Sequence, residues 1–150
     1  MIGRLPLAVI AASAMTLPFA PAAVANDRQA VITESGKVRC YTNATGGGHG
    51  GGSSVVCQRR GGEPFAQSPY SVEERSRLNL AAVSENGDFY WDIGNIPWSQ
   101  EAIADDIVLK YGQTYHVNGW TILSTFEGTR FTNDRTGHGM FVSVDDVYGF

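Results

Sequence analysis

The chain has few of the residues that build metal centres. Its 150 residues include only two cysteines, Cys40 and Cys57, and three histidines. A structural zinc site needs four ligands at suitable spacing, which two cysteines and scattered histidines do not supply. The acidic pairs at 105–106 and 145–146 also lack the spacing of a calcium loop and are better explained as solvated surface. We therefore expect no metal ion and no cofactor.

Positive charge is also scarce. Lysine and arginine number 11 against 15 acidic residues, which gives a formal net charge of −4. Binding to nucleic acid or to an anionic membrane needs clustered basic residues that neutralise phosphates. The composition argues against both classes of partner.

Long apolar runs are absent after the N-terminus. There, Arg4 precedes an uncharged apolar stretch over residues 5–19 and the small-residue motif Ala23-Val24-Ala25. A basic start, a short apolar core and an A-x-A site are typical of a secretory signal peptide. We interpret residues 1–25 as that signal and residues 26–150 as a single secreted β domain. It would have no membrane span after cleavage and would reside outside the cell or in the space of the cell envelope; a retained signal would be the route to tethering.

Alternating apolar and polar residues separated by glycine-rich turns predict an all-β fold, mainly of antiparallel hairpins, arranged as a small barrel or sandwich. The first hairpin pairs the strand around Cys40 with the strand around Cys57 across a glycine-rich connection. In an oxidising compartment these cysteines should form a disulfide. Closing that loop stabilises a fold by roughly 3 kcal/mol on the chain-entropy model.

A second hairpin is predicted over residues 78–93. Asn86-Gly87 suits a two-residue turn, since both residues tolerate positive φ. This register places Leu80 opposite Ile93 and Ala82 opposite Trp91. The predicted core face then contains Leu78, Leu80, Ala82, Phe89, Trp91 and Ile93.

The strongest β signals lie in residues 111–150. Asn118-Gly119 forms either a tight hairpin turn or a bulge within one longer strand, and both keep the same residues on one face. That core face contains Tyr115, Val117, Trp120, Ile122 and Phe131. Residues 140–144 supply the last predicted strand.

One or two short helices are expected besides the strands. Ser71-Val72-Glu73-Glu74 has the spacing of a capping box, which indicates one or two helical turns as far as Arg77. Ser99 is a suitable N-cap for a short helix in residues 100–107. Residues 61–71 carry glycine and proline and resemble a surface connection.

Three residues are candidate binding positions. His138 lies between two glycines, with Asp134 and Asp145 nearby in sequence, although a tight turn in which the ring caps backbone groups explains this pattern better. Trp98 follows a proline in a loop and is a candidate exposed anchor. His49 lies among six glycines, where a mobile connector is favoured over a ligand loop because no phosphate-loop motif follows.

Several segments together resemble small exported proteins of mycobacteria and related actinobacteria, with a pattern close to SPSGNIxC…VxC…LxYG…GHGFxxS. The matching residues are 33–40, 55–57, 109–112 through 132–133, and 136–143. The resemblance implies export, β structure and a Cys40–Cys57 bond, but no activity. Those proteins usually carry a second cysteine pair where this chain has Ile122 and Phe131. Placing those two residues opposite each other requires a four-residue loop over 125–128 instead of a two-residue turn.

No residue pattern identifies an activity. The favoured hypothesis is an exported, non-enzymatic binding or structural module with an unidentified envelope or extracellular partner. The alternative is a small hydrolase or metal-dependent enzyme centred on His138, although no catalytic residue is assigned.

Overall fold

The computed structural model describes residues 27–46 and 51–150, which are built almost entirely from short β-strands. The helical segments of these residues are a 3₁₀ turn at Arg60–Gly62 and the helix α1 at Gln100–Ile103. The strands are β1 (Arg28–Thr33), β2 (Val38–Asn43), β3 (Ser54–Arg59), β4 (Tyr70–Ser71), β5 (Ser76–Arg77), β6 (Leu80–Ser84), β7 (Phe89–Asp92), β8 (Ile107–Leu109), β9 (Thr114–Val117), β10 (Trp120–Ser124), β11 (Thr129–Asn133), β12 (Gly139–Val142) and β13 (Val147–Gly149).

Two large sheets bury a common core. The first has the strand order β7-β6-β3-β2-β1-β8, and the second is the meander β13-β12-β11-β10-β9. All neighbours are antiparallel except β1 and β8, which run parallel. Side chains from both sheets form one apolar cluster, and neither sheet closes on itself within the described residues. The predicted all-β class is therefore confirmed, as a sandwich.

The disulfide forms where the sequence predicts it. Cys40 on β2 lies directly opposite Cys57 on β3, with the two sulfur atoms 2.04 Å apart. Both cysteines are buried in the core cluster. In the turn before β2, Gly36 adopts a φ of 68° and its N–H donates to the Thr33 carbonyl.

The predicted register of the second hairpin is wrong by one residue. Ala81 lies opposite Trp91 and Val83 opposite Phe89, because the connection is a three-residue loop. Its third residue, Gly87, has a φ of 90°, which is typical of a loop that ends in a glycine bulge. Because the loop has one extra residue, the β6 residues predicted to face the core lie on the opposite face of the sheet, and the residues next to them face the core.

The core face of this hairpin changes accordingly. Phe89 and Trp91 pack against the core as predicted, and Ala81 and Val83 join them. Ile93 is exposed instead of buried. Leu78 and Leu80 are only half-buried, and Ala82 is buried as predicted, although none of the three belongs to the core cluster.

The C-terminal sheet follows the prediction closely. Asn118-Gly119 forms the tight turn, with Val117 opposite Trp120. Thr125 donates to the Gly128 carbonyl across a four-residue loop, which places Ile122 opposite Phe131, as the resemblance implies. One strand, β13, was not predicted; it follows β12 and forms the edge of this sheet.

The three expectations for the connecting segments have different outcomes. Ser99 caps α1 as predicted, with its Oγ accepting from the Ala102 N–H at 3.2 Å, but the helix ends at Ile103 and Ile107 belongs to β8. The predicted helix after Ser71 is wrong: the Ser71 Oγ does accept from the Glu74 N–H, but the residues between form the turn of the small β4–β5 hairpin. The segment 61–71 is not purely a surface connection, because Phe65 is fully buried in the core.

A buried ion pair holds the segment after β7 against the outer face of the first sheet. Arg39 on β2 donates from Nε and Nη2 to the two Asp106 carboxylate oxygens, at 2.6 and 2.7 Å. It also donates to the carbonyls of Ala102 and Pro97. Both side chains of the pair are only 2% exposed. The pKa of Arg39 is raised, first by the hydrogen-bonded Asp106 carboxylate, while burial acts in the opposite direction.

Candidate functional site

A cleft of about 310 Å³ opens at one end of the sandwich. It lies among four turns: those that join β1 to β2, β8 to β9, β10 to β11, and β12 to β13. The four turns come from distant parts of the chain and meet because antiparallel strands return to the same end of their sheets. The side chains in its lining that offer a charge, an aromatic ring or a hydroxyl group to a ligand include Lys37, Tyr111, Phe126, Glu127, Ser143 and Asp145.

Local hydrogen bonds fix the backbone of these turns. The Ser143 hydroxyl accepts from the N–H groups of Asp145 and Asp146 and donates to the Asp146 carbonyl. Thr125 closes its loop twice, because both its N–H and its hydroxyl donate to the Gly128 carbonyl. These hydroxyls are therefore engaged by their own turns, and the side chains left to meet a ligand are the aromatic and charged ones.

Two aromatic rings stand together at the cleft. Phe126 is 85% exposed, and the Tyr111 ring contacts it at a centroid separation of 5.6 Å and an interplanar angle of 61°. An exposed apolar ring in a turn has no role in the core, and such rings often mark contact surfaces. Among the described residues, Tyr111 and Phe126 are the two aromatic ones that line the cleft.

Glu34 holds the tyrosine in place from the neighbouring turn. Its carboxylate accepts from the Tyr111 N–H at 2.8 Å, and its own N–H donates to the Leu109 carbonyl. That hydrogen bond from Tyr111 is the main reason why the pKa of Glu34 is lowered, with a smaller contribution from the positive charge of Lys110. At neutral pH the Glu34 carboxylate is ionised, so it accepts the hydrogen bond from the Tyr111 N–H that joins the two turns.

The charged side chains of the cleft are unpaired. Lys37, Glu127 and Asp145 are all exposed, and within the described residues none of them forms a side-chain hydrogen bond or an ion pair. Exposed charges usually remain solvated, so the group is notable for its place beside the aromatic rings. Together these residues give the cleft an apolar wall and a charged rim.

His138 lies at the opposite end of the sandwich. Its ring Nδ1 is 3.2 Å from the Phe150 carbonyl oxygen, and its backbone N–H donates to the Thr136 hydroxyl. The ring also packs closely on Gly87, where an added Cβ would lie 2.8 Å from it. His138 therefore contacts backbone groups at the junction of two turns, and neither Asp134 nor Asp145 hydrogen-bonds it.

Trp98 also lies outside the cleft. Trp98 is half-buried in the segment before α1, and its Nε1 is buried without a hydrogen-bond partner among the described residues. It is therefore less exposed than an anchor residue should be. His49 falls outside the described residues.

A chain of polar side chains on the outer face of the second sheet was not predicted. The Thr121 hydroxyl donates to an Asp134 carboxylate oxygen at 2.5 Å and lies 3.1 Å from Nδ1 of His116. In a catalytic relay the imidazole base lies between the nucleophile and the acid. Here Thr121 lies between Asp134 and His116, on an open sheet surface, so the three side chains do not have that order. Among the described residues no group of three or more His, Cys, Asp or Glu side chains could hold a metal ion.

The comparisons with known proteins found no match to this chain. No family model matches it, and neither a curated protein nor a solved structure is significantly similar to it. Function must therefore be inferred from the residues and their geometry. No helix in the described part of the chain is long and apolar enough to cross a membrane.

Proposed function

We propose that this protein is an exported, non-enzymatic binding module that uses the cleft at the end of its sandwich to hold a partner of the envelope or the extracellular space. The observation that carries the proposal is the exposed pair of Tyr111 and Phe126, which shares a cleft with three unpaired charges. The disulfide and the signal-like N-terminus support export, because stable disulfides belong to oxidising compartments.

The β scaffold suits this role. Loops positioned by a rigid sandwich commonly carry binding residues, since their sequence can vary without disturbing the core. Here the backbones of two of the turns around the cleft are held by hydrogen bonds within each turn, so less backbone entropy has to be lost on binding. No contact seen among the described residues favours the alternative of an enzyme centred on His138, whose ring meets a backbone carbonyl.

Site-specific photo-crosslinking in the producing cell tests the proposal. A photoreactive phenylalanine analogue in place of Phe126 should form a distinct adduct with one partner, which mass spectrometry then identifies. Val72, in the turn of the β4–β5 hairpin, is a matched control position because it is 83% exposed against 85% for Phe126 and does not line the cleft. Identical adduct patterns from both positions, or none from Phe126, would contradict a binding role for the cleft.

A further inference from the structure

The rings of Tyr111 and Phe126 lie edge to face beside the cleft. Their interplanar angle of 61° places the edge of one ring toward the other, and the 85% exposure of Phe126 leaves its ring accessible to a ligand. The faces of aromatic rings carry partial negative charge and attract cations within about 6 Å of the centroid. The edge of one ring covers part of the face of the other, so it is the ring surface left open that can receive a cation.

The charged residues at the rim of the cleft carry a net negative charge, which complements a cationic ligand. Glu127 and Asp145 contribute two carboxylates to the cleft against the single ammonium group of Lys37. Because none of the three is paired within the described residues, the local net charge of −1 is available to a ligand. The whole chain has the same sign, with a net charge of −4. An anionic ligand would face two carboxylates, and a neutral sugar would leave both of them without a counter-charge.

The size of the cleft limits what it can hold. A volume of about 310 Å³ is at the lower end of the range for small-molecule sites. It accommodates one long side chain better than an extended folded surface. The hydrogen bond from the Tyr111 N–H to Glu34 fixes the backbone from which the tyrosine side chain extends into the cleft.

From these features we infer that the cleft receives a basic side chain, lysine or arginine, of a partner polypeptide. The cation would lie against the rings of Tyr111 and Phe126, with its charge balanced by Glu127 and Asp145. This inference rests on the proposed function, because it names the chemistry that the binding cleft recognises. Lys37 would oppose the incoming charge and thereby weaken binding of the cation.

Titrations followed by NMR on the full ¹⁵N-labelled secreted chain test the inference. The probes are acetylated and amidated tripeptides, Gly-Lys-Gly and Gly-Arg-Gly, with Gly-Gln-Gly, Gly-Glu-Gly and a neutral glucose oligomer as comparisons. The two basic peptides should shift the amide resonances of Tyr111, Phe126 and Gly128. Their affinity should fall as ionic strength rises, because exposed charge interactions are screened by salt.

Variants separate the contributions of ring and charge. Phe126→Ala should weaken binding of the basic peptides by about two- to fivefold, the range that corresponds to an exposed cation–π contact. Glu127→Gln combined with Asp145→Asn should weaken it as well, whereas Lys37→Gln should strengthen it. Tyr70→Ala is the matched control, since Tyr70 is an exposed aromatic residue outside the cleft lining. It should leave the affinity unchanged.

Failure of the inference and failure of the proposed function give different results. If the acidic peptide or the glucose oligomer shifts the cleft resonances more strongly than the basic peptides, the cationic ligand is wrong and a binding cleft remains. If no basic peptide shifts them at about 20 mM, where even a millimolar affinity would be visible, the inference is overturned. If, in addition, crosslinking from position 126 yields no partner, the proposed function is overturned as well.

Discussion

Replacing Arg39 with alanine should be among the most destabilising single changes in this protein. The substitution leaves the Asp106 carboxylate, which is 2% exposed, without its bidentate partner. It also removes the donors that satisfy the Ala102 and Pro97 carbonyls. Breaking a buried ion pair by removing one partner costs about 3–5 kcal/mol, because an uncompensated charge remains away from water.

The contrasting surface pair provides the control. Arg135 and Glu85 also form an ion pair, at 3.0 Å, but the Arg135 side chain is 65% exposed. Exposed pairs of this kind contribute about 0–1 kcal/mol, so Arg135→Ala should have little effect. The two arginine variants therefore compare the same chemical change in buried and exposed surroundings.

Urea denaturation measures the difference in the free energy of unfolding, and amide hydrogen exchange over residues 100–106 reports where it arises. Arg39→Ala should lower the free energy of unfolding and accelerate exchange in that segment. Arg39→Met combined with Asp106→Leu should recover part of the loss, because apolar residues of similar volume can replace a buried pair, but the Ala102 and Pro97 carbonyls still lack their donor. A loss below about 1 kcal/mol for Arg39→Ala, comparable to that of the surface variant, would refute this account of the buried pair.

Three further predictions concern the disulfide, one glutamate and one glycine. The double variant Cys40→Ala, Cys57→Ala should lose about 3 kcal/mol in urea denaturation, as expected for a loop of 17 residues, and a loss below about 1 kcal/mol would contradict it. Because the pKa of Glu34 is lowered in the fold, its contribution to folding stability should be complete above the ordinary pKa of about 4.3 and should be lost as the pH falls through the lower folded pKa. The NMR shift of the Tyr111 amide should follow the same transition. Glu34→Gln should abolish that transition. Gly139→Ala would place a Cβ 1.8 Å from a carbonyl oxygen of the neighbouring strand, so a loss of about 1–3 kcal/mol or more is expected, and an unchanged melting temperature would exclude that clash.

The sequence predicts most of the second sheet because its signals are local. Asn118-Gly119 specifies a two-residue turn by the conformations that both residues tolerate, and their φ values are 52° and 79°. The alternation of apolar residues on either side then determines which face is buried. In the hairpin of β6 and β7 the same type of signal at Asn86-Gly87 was misleading, because only Gly87 adopts a positive φ and the loop is one residue longer.

The cleft could not be predicted in this way. Its lining comes from four turns that are separated by long stretches of sequence, and their proximity depends on how the two sheets pack. The local signal that could have indicated Phe126 is a large apolar residue directly before Glu127-Gly128, where a turn was expected. For Asp106 the signal was misread: an acid after a short helix resembles solvated surface, and only the topology shows that it meets Arg39. The resemblance to exported actinobacterial proteins stays a prediction.

The parallel pairing of β1 with β8 has a consequence for the order in which the domain can form. A chain that crosses a membrane N-terminus first presents β1, β2 and β3 early, but β1 obtains its second neighbour only when Ile107–Leu109 has emerged. Until then one side of β1 is an unpaired strand edge, which invites pairing with other chains. The second sheet is a meander of sequential hairpins, so each strand can pair with its neighbour in the sequence as soon as both are present. The emergence of β8 would then be the step at which a folding factor has the greatest influence on yield.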